Sequence, residues 1–196
     1  EPAWFLQCVL PAGKPVVLTC AMRPASALSA DGPANLRDAL ACAADGGALA
    51  WAQAGQPVLV VAAGEVHSAA AVRKAHAYQV HALSSAPAGP VAWVEEGRLR
   101  WAQRLPQQVV VKNAVPLPPL PWPWVEVVTS HAGARAEGVD ALVAAGVRGL
   151  VVAGTGNGTV HAAWLPALQR ARAAGVPIVR TTRCAEGRIV QAPGQD

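Results

Sequence analysis

Charge is scarce in this chain: Asp, Glu, Lys and Arg make up 14% of its 196 residues, against 53% hydrophobic ones. Disordered segments show the opposite balance, so the composition excludes one and leaves enough chain to bury a core in one large or two small domains. Long apolar runs are missing as well. A membrane-spanning helix takes roughly 18 consecutive apolar residues, whereas the longest runs here are short pieces such as Val58-Leu-Val-Val-Ala-Ala63, and no membrane partner is expected. Clusters of basic residues are absent too. Sixteen Lys plus Arg against twelve Asp plus Glu leave a net charge of +4, but only Arg73 and Lys74 are adjacent. Cations scattered singly are solvated surface, which argues against a nucleic-acid partner. Cys8, Cys20, Cys42 and Cys184 lie far apart with no C-x-x-C, so neither a zinc site nor a disulfide framework is indicated. They are read as buried free thiols of a reducing, cytoplasmic compartment. Fibrous and solenoid periods are missing.

What is present is alternation between short β-branched runs and Ala-rich stretches, the pattern of an α/β fold with helices on both faces of a sheet. The opening Pro2 to Leu10 reads as a helix with Pro2 in its first turn. Because the chain opens at Glu1 without Met and closes at Asp196 without a final helix, we expect a segment cut from something longer. Val16 to Thr19 and Pro57 to Val61 read as buried parallel strands, apolar on both faces. Ala34 to Ala44 reads as a helix behind Pro33. Pro90 to Trp101 alternates around Glu95-Glu96-Gly97 as a hairpin. The prolines between Leu105 and Trp124 then forbid a central strand or a helix interior. The expected organisation is therefore an α/β domain over residues 1–105, a Pro-rich linker over 106–124, and a smaller βαβαβ domain over 125–196. In the last of these, strands Trp124 to Thr129, Gly149 to Ala153 and Val176 to Arg180 enclose helices Ala134 to Ala145 and Val160 to Ala174.

Three segments are candidates for chemistry. Gly154-Thr-Gly-Asn-Gly-Thr159 lies between a strand and a helix start, where backbone N–H groups can approach an anion. Its spacing is G-x-G-x-G rather than the dinucleotide G-x-G-x-x-G, and no Lys-Ser/Thr of a phosphate loop follows. A tight turn with Asn157 or Thr159 capping the next helix is the better local reading. Ala21 to Asn35 forms a loop at the carboxyl end of a strand, where open α/β sheets bind ligands; Ser26, Ser29 and Asp31 are its polar groups, which equally could satisfy turns and a helix cap. Val66 to His76 carries Lys74 among Ala and Val residues, either a desolvated proton acceptor or an exposed lysine on an Ala-rich helix. His67, His76 and His81 lack acidic partners nearby, which disfavours a metal.

In order along the chain, Pro15-Val-Val-Leu-Thr, Ala21-Met-Arg-Pro, Ser29-Ala-Asp-Gly-Pro-Ala-Asn-Leu36, His67-Ser-Ala, Val72-Arg-Lys74, Ser130-His-Ala-Gly-Ala134, Gly154-Thr-Gly-Asn-Gly158 and Arg180-Thr-Thr-Arg183 together resemble the bacterial L-asparaginase family of threonine-dependent amidohydrolases. The resemblance implies a two-lobed α/β fold, a homo-oligomer (usually a tetramer built from two intimate dimers), and hydrolysis of L-asparagine to L-aspartate and ammonia with no metal or cofactor. Carried over by position, it makes Lys74 the lysine of the proton relay. Ala21 becomes the residue whose carbonyl receives the substrate's amide nitrogen, and Thr159 the polar residue a neighbouring subunit offers to the substrate's amino-acid end.

The departures are specific. The family's nucleophilic threonine and its second Thr-Asp pair lie in segments that should precede Glu1, so the chain alone is expected to be inactive. Cys20 stands where the family usually has Gly, and Ala62-Ala63-Gly64 replaces an Asn-Asp pattern. A family acid that helps bind the substrate's amino group would fall near Gly194, which leaves room for glutamine or another small amide. The alternative is a non-catalytic member of the same fold, a small-molecule binder or assembly partner.

Overall fold

The computed structural model describes residues 1–105 and 114–190, and the chain divides into two compact units, Glu1–Leu117 and Pro118–Asp196. Part of the expected linker, 106–113, and the Gly194 position lie outside the described residues. Both units are α/β, as the alternation of runs implies.

In the first unit, helix α1 (Pro2–Val9) starts on its proline and leads to strand β1 (Val16–Thr19). Helices α2 (Gly32–Ala43) and α3 (Gly46–Gln53) follow, then β2 (Val58–Ala62) and β3 (Glu65–Ser68). Two short strands, β4 (Arg73–Lys74) and β5 (Leu83–Ser84), pair with each other. The hairpin of β6 (Ala92–Glu95) and β7 (Arg98–Trp101) completes a five-stranded sheet of order β1-β2-β3-β6-β7. The expected parallel character is confined to the β1–β2 pair; β2–β3, β3–β6 and β6–β7 are antiparallel. The reason is local: after β2 the chain turns back through Ala63 and Gly64, both at positive φ, a two-residue hairpin loop that leaves no length for a crossover helix.

Period-two alternation sends β2 into two cores at once. Leu59 and Val61 pack with Ala39, Cys42 and Trp51 of α2 and α3, whereas Val58 and Val60 pack with Ala3 and Leu6 of α1. Strand β2 is accordingly buried along its whole length. The buried Gln7 ties α1 to this strand, donating to the Gly55 carbonyl at 2.9 Å and accepting from the Val58 N–H at 3.2 Å. Trp51 and Trp101 stack with centroids 5.8 Å apart, and the Trp101 indole donates to Asp45, which also accepts from the Gly47 N–H in the first turn of α3. Strand β1 is only half-buried and has no neighbour on its outer edge among the described residues.

The second unit is a βαβαβ motif: β8 (Val125–Thr129), α4 (Glu137–Ala144), β9 (Gly149–Gly154), a 3₁₀ turn (Ala162–Trp164) running into α5 (Leu165–Ala173), and β10 (Ile178–Thr182). The three strands are parallel in the order β10-β9-β8. Leu150 and Val152 of the central strand pack with Val139 of α4 and Ala167, Leu168 and Ala171 of α5. The opposite face leaves Val125, Val127 and Val179 largely exposed.

Three expectations are corrected. Of the four free thiols only Cys42 is buried; Cys20 and Cys184 are exposed and Cys8 is partly so. Cys42 lies on the inner stripe of α2 with Asn35, Asp38 and Ala39, and burial pushes its thiol up to about 12. Asn157 and Thr159 do not cap the helix after the glycine-rich turn; His161 does, its ring nitrogen accepting from the Ala163 N–H at 3.2 Å. The Asn157 side chain instead pairs with the N–H and carbonyl of Val190, each at 2.7 Å. Lys74, lastly, is exposed as one reading held, but on a strand rather than a helix. The Ser68 carbonyl takes the N–H groups of both Ala71 and Val72, a turn that redirects the chain before any helix can propagate.

Candidate active site

The carboxyl end of β1 is built by hydrogen bonds that converge on the loop after it. Thr19 donates its hydroxyl to the Val61 carbonyl at 2.8 Å, fixing the last residue of the strand against β2. Three residues on, the chain is held by Asp31, whose carboxylate accepts from the backbone N–H groups of Met22, at 2.9 and 3.1 Å, and Arg23, at 2.9 Å. These donors, the Met22 N–H foremost, hold the Asp31 carboxyl below the usual range. Asp31 occupies the N-cap position of α2 without capping it; its side chain turns back to the loop, which is the turn-satisfying role. Arg23 closes the loop over the Ser29 carbonyl at 3.1 Å and the Ser29 hydroxyl.

Asn35, buried in the first turns of α2, joins three segments. Its amide donates to the Cys20 carbonyl at 2.9 Å and to Asp31 at 3.2 Å, while its oxygen accepts from the Ala63 N–H at 2.9 Å. The loop bearing Ala21 is thereby locked to the β2–β3 turn. Asn35 was not singled out from the sequence. Its signal was available in the spacing, because Asn35, Ala39 and Cys42 fall at helical intervals on one buried face.

Lys74 belongs to the same neighbourhood. Partial desolvation by its neighbours and, next, the Asp31 carboxylate raise the pKa of the Cys20 thiol, and the Lys74 ammonium acts on it in the opposite direction. Ala21, exposed beside Cys20, and Lys74 both belong to the first unit. Thr159 belongs to the second. There the segment from Thr155 to Thr159 is a closed turn, with the N–H of each end donating to the carbonyl of the other at 2.9 and 2.8 Å. Gly156 and Gly158 take positive φ in it, and the Thr159 side chain is exposed.

Of the three histidines weighed as metal ligands and disfavoured, His67 and His76 take separate structural roles. His67 is buried on β3 with its Nδ1 2.8 Å from the Ser85 hydroxyl, and His76 accepts from the N–H groups of Tyr78 and Gln79. Among the described residues no group of three or more His, Cys, Asp or Glu is placed to hold a metal, and no helix is long and apolar enough to cross a membrane.

Burial lowers the pKa of the His67 imidazole, with the Glu65 carboxylate opposing it. Below its ordinary pKa of about 6.5 the unfolded chain binds a proton that the native state refuses. The stability carried by neutral His67 is thus complete above that pH and is lost as pH falls toward the folded pKa, with a slope of at most about 1.4 kcal/mol per pH unit. We expect the melting temperature to fall between pH 7 and 5 and the His67→Gln variant to show a shallower fall. Parallel curves for the two proteins would assign the acid sensitivity to another group.

The fold and this site define a two-unit α/β protein with a polar loop at the carboxyl end of a parallel strand and, on a separate two-residue strand of the same unit, an exposed lysine. Residues 1–107 match the family model "Asparaginase, N-terminal", and residues 124–195 match the "Glutaminase/Asparaginase C-terminal domain"; the chain belongs to the bacterial asparaginase family. It is 35% identical to the glutaminase-asparaginase of Pseudomonas fluorescens over 97% of this chain and 51% of that protein. To L-asparaginase 2 of Escherichia coli it is 33% identical over 97% and 54%. A probable periplasmic L-asparaginase of Haemophilus influenzae is 34% identical over 95% and 52%. Among solved structures, a probable cytoplasmic L-asparaginase from Campylobacter jejuni superposes with a TM-score of 0.85 at 30% identity, covering 97% of this chain and 61% of that one. The chain spans about half the length of the curated relatives it matches.

Proposed function

We propose that these residues are the lysine-bearing part of an amidohydrolase that hydrolyses L-asparagine, or L-glutamine, to the amino diacid and ammonia. The observation that supports the reading is that the Lys74 ammonium acts electrostatically on the thiol of Cys20, the residue before Ala21 in the loop that follows β1. In this reading a threonine hydroxyl from a segment outside the present sequence attacks the side-chain amide carbon. Lys74 takes part in moving the hydroxyl proton toward the departing ammonia, and the Ala21 carbonyl accepts from the substrate's amide nitrogen. The residues that would do this need neither metal nor cofactor.

The open outer edge of β1 supports the missing partner. A parallel strand with no outer neighbour among the described residues, together with exposed Trp4 and Phe5 on α1 and Leu36 and Leu40 on α2, is an edge that proteins ordinarily cover, and a preceding strand of the same protein would cover it. Thr159, exposed on its closed turn, is assigned to the amino-acid end of a substrate held by a neighbouring subunit, which makes the protein a homo-oligomer, a dimer or tetramer. Relatives carry both periplasmic and cytoplasmic names; the four unpaired cysteines favour the reducing cytoplasm.

The test begins with the intact mass under denaturing conditions. A species above 20.1 kDa, or a second smaller polypeptide, carries the threonine segments and is expected to release ammonia from asparagine. A complete protein that releases none from asparagine or glutamine leaves the non-catalytic binder in its place.

A further inference from the structure

Lys74 is set on a fragment of sheet too short to hold itself. Strands β4 and β5 contribute two residues each, Arg73 opposite Ser84 and Lys74 opposite Leu83, and even longer isolated hairpins are marginal in water. Among the described residues no side chain bonds the Lys74 ammonium, and its side chain is exposed. What fixes the amine must act through the neighbouring chain. Immediately after β5, Ser85 is 3% exposed and its hydroxyl lies 2.8 Å from Nδ1 of His67, itself 1% exposed. His67 is in the interior of the main sheet, paired with Val60 of the fully buried β2. One residue further, the Ala86 carbonyl accepts from the Arg73 guanidinium at 2.7 Å.

We infer that His67 and Ser85 are positioning residues for Lys74: their buried hydrogen bond anchors β5 to the five-stranded sheet, and β5 holds β4 and its lysine. The inference rests on the reading of Lys74 as the relay lysine. The order Ser85, His67, Glu65 copies that of a hydrolytic triad, with Glu65 3.5 Å from Nε2. The carboxylate favours a proton on Nε2, so that Nδ1 accepts and the Ser85 hydroxyl donates. Yet Ser85 faces inward, where no substrate reaches it, and its hydroxyl serves as an anchor rather than a nucleophile. Arg73 closes the arrangement from the other strand, tying β4 to the segment after β5.

The experiment compares wild type, Ser85→Ala and Ser85→Thr in the protein carrying the threonine segments. Three readouts are taken: hydrogen exchange at the Ala75 amide, which donates to the Ala82 carbonyl beside β4; acetylation of Lys74 by acetic anhydride, with the exposed Lys14 as internal control; and kcat and KM for ammonia release. Ser85→Ala is expected to raise exchange at Ala75 tenfold or more and change the Lys74-to-Lys14 acetylation ratio severalfold. It should also lower kcat about tenfold with KM within twofold, and Ser85→Thr should restore all three. Should Ser85→Ala fail to fold, Ser85→Cys, a weaker donor of similar size, is read the same way. Unchanged exchange and acetylation overturn the inference, as does a rise in exchange that spreads evenly through the sheet with Lys14 changing alongside Lys74. If the wild type releases no ammonia, the relay reading of Lys74 falls, while exchange and acetylation still decide whether His67 and Ser85 position it.

Discussion

Lys74→Met, in the protein that carries the threonine segments, is expected to lower ammonia release by about 10²–10⁴-fold, the range that a positioned proton-transfer group supplies. The chain should fold as before. Lys74 is exposed, it opens no cavity when replaced, and its backbone keeps the ladder to Leu83, so the cost to stability falls within the small range of surface substitutions, about 0.5 kcal/mol. Methionine keeps the unbranched stem and removes only the amine. The lost function is therefore the proton transfer itself, and it should appear in kcat more than in KM. Ammonia release at saturating asparagine and a thermal melt settle the matter together: retained turnover in a folded variant removes Lys74 from the mechanism.

The reach of the sequence depends on how local the deciding interactions are. The hairpin over Ala92–Trp101 was legible because its turn residues, Glu96 and Gly97, are consecutive and the alternation flanks them directly. The βαβαβ order of the second unit was legible because each apolar run is bounded by glycine or proline. Boundaries were less so: the helix expected from Ala134 begins at Glu137, and the stretch from Val160 opens as a 3₁₀ turn before Pro166 admits α5. The antiparallel turn of the first sheet at Ala63-Gly64 was hidden, since Ala63 takes a positive φ that alanine seldom adopts.

The candidate site was legible by a different route. Resemblance to a family pointed to Lys74, Ala21 and Thr159, whereas the residues themselves left Lys74 as either a desolvated proton acceptor or an exposed lysine on an Ala-rich helix. A two-residue strand has no periodicity; β4 exists only because β5 is delivered to it by pairings between Arg73 and Ser84 and between Lys74 and Leu83, distant along the chain. Asn35 and the His67–Ser85 pair escaped for the same physical reason. Their partners lie 28 and 18 residues away; helical spacing marks Asn35 as facing inward, but nothing in a local window names the groups that satisfy it.

Gly154→Ala is the substitution expected to cost the second unit most, and Gly154 shows how a glycine can be required by space rather than by φ. A Cβ there would stand 2.5 Å from the Gly158 carbonyl carbon and 2.7 Å from the carbonyl oxygens of Gly158 and Thr159. All three are backbone atoms of the closed turn, so no side chain can swing aside, and either the turn opens or β9 shifts against β8 and β10. Overpacking of this kind costs roughly 1–3 kcal/mol or more, which in a unit of this size lowers the melting temperature by about 4–8 °C per kcal/mol. Gly156→Ala, two residues on, is the control. Its Cβ would meet nothing within 4 Å, although its φ of +48° carries the left-handed penalty, about 1–2 kcal/mol. The larger loss should therefore fall at Gly154, and it should extend to function, because opening the turn moves Thr159 and raises KM for the amide substrate while Lys74 in the other unit keeps its setting. Equal melting temperatures for Gly154→Ala and wild type would mean that the turn relaxes without cost, and Thr159 would then be held by something other than the close approach of these two backbones.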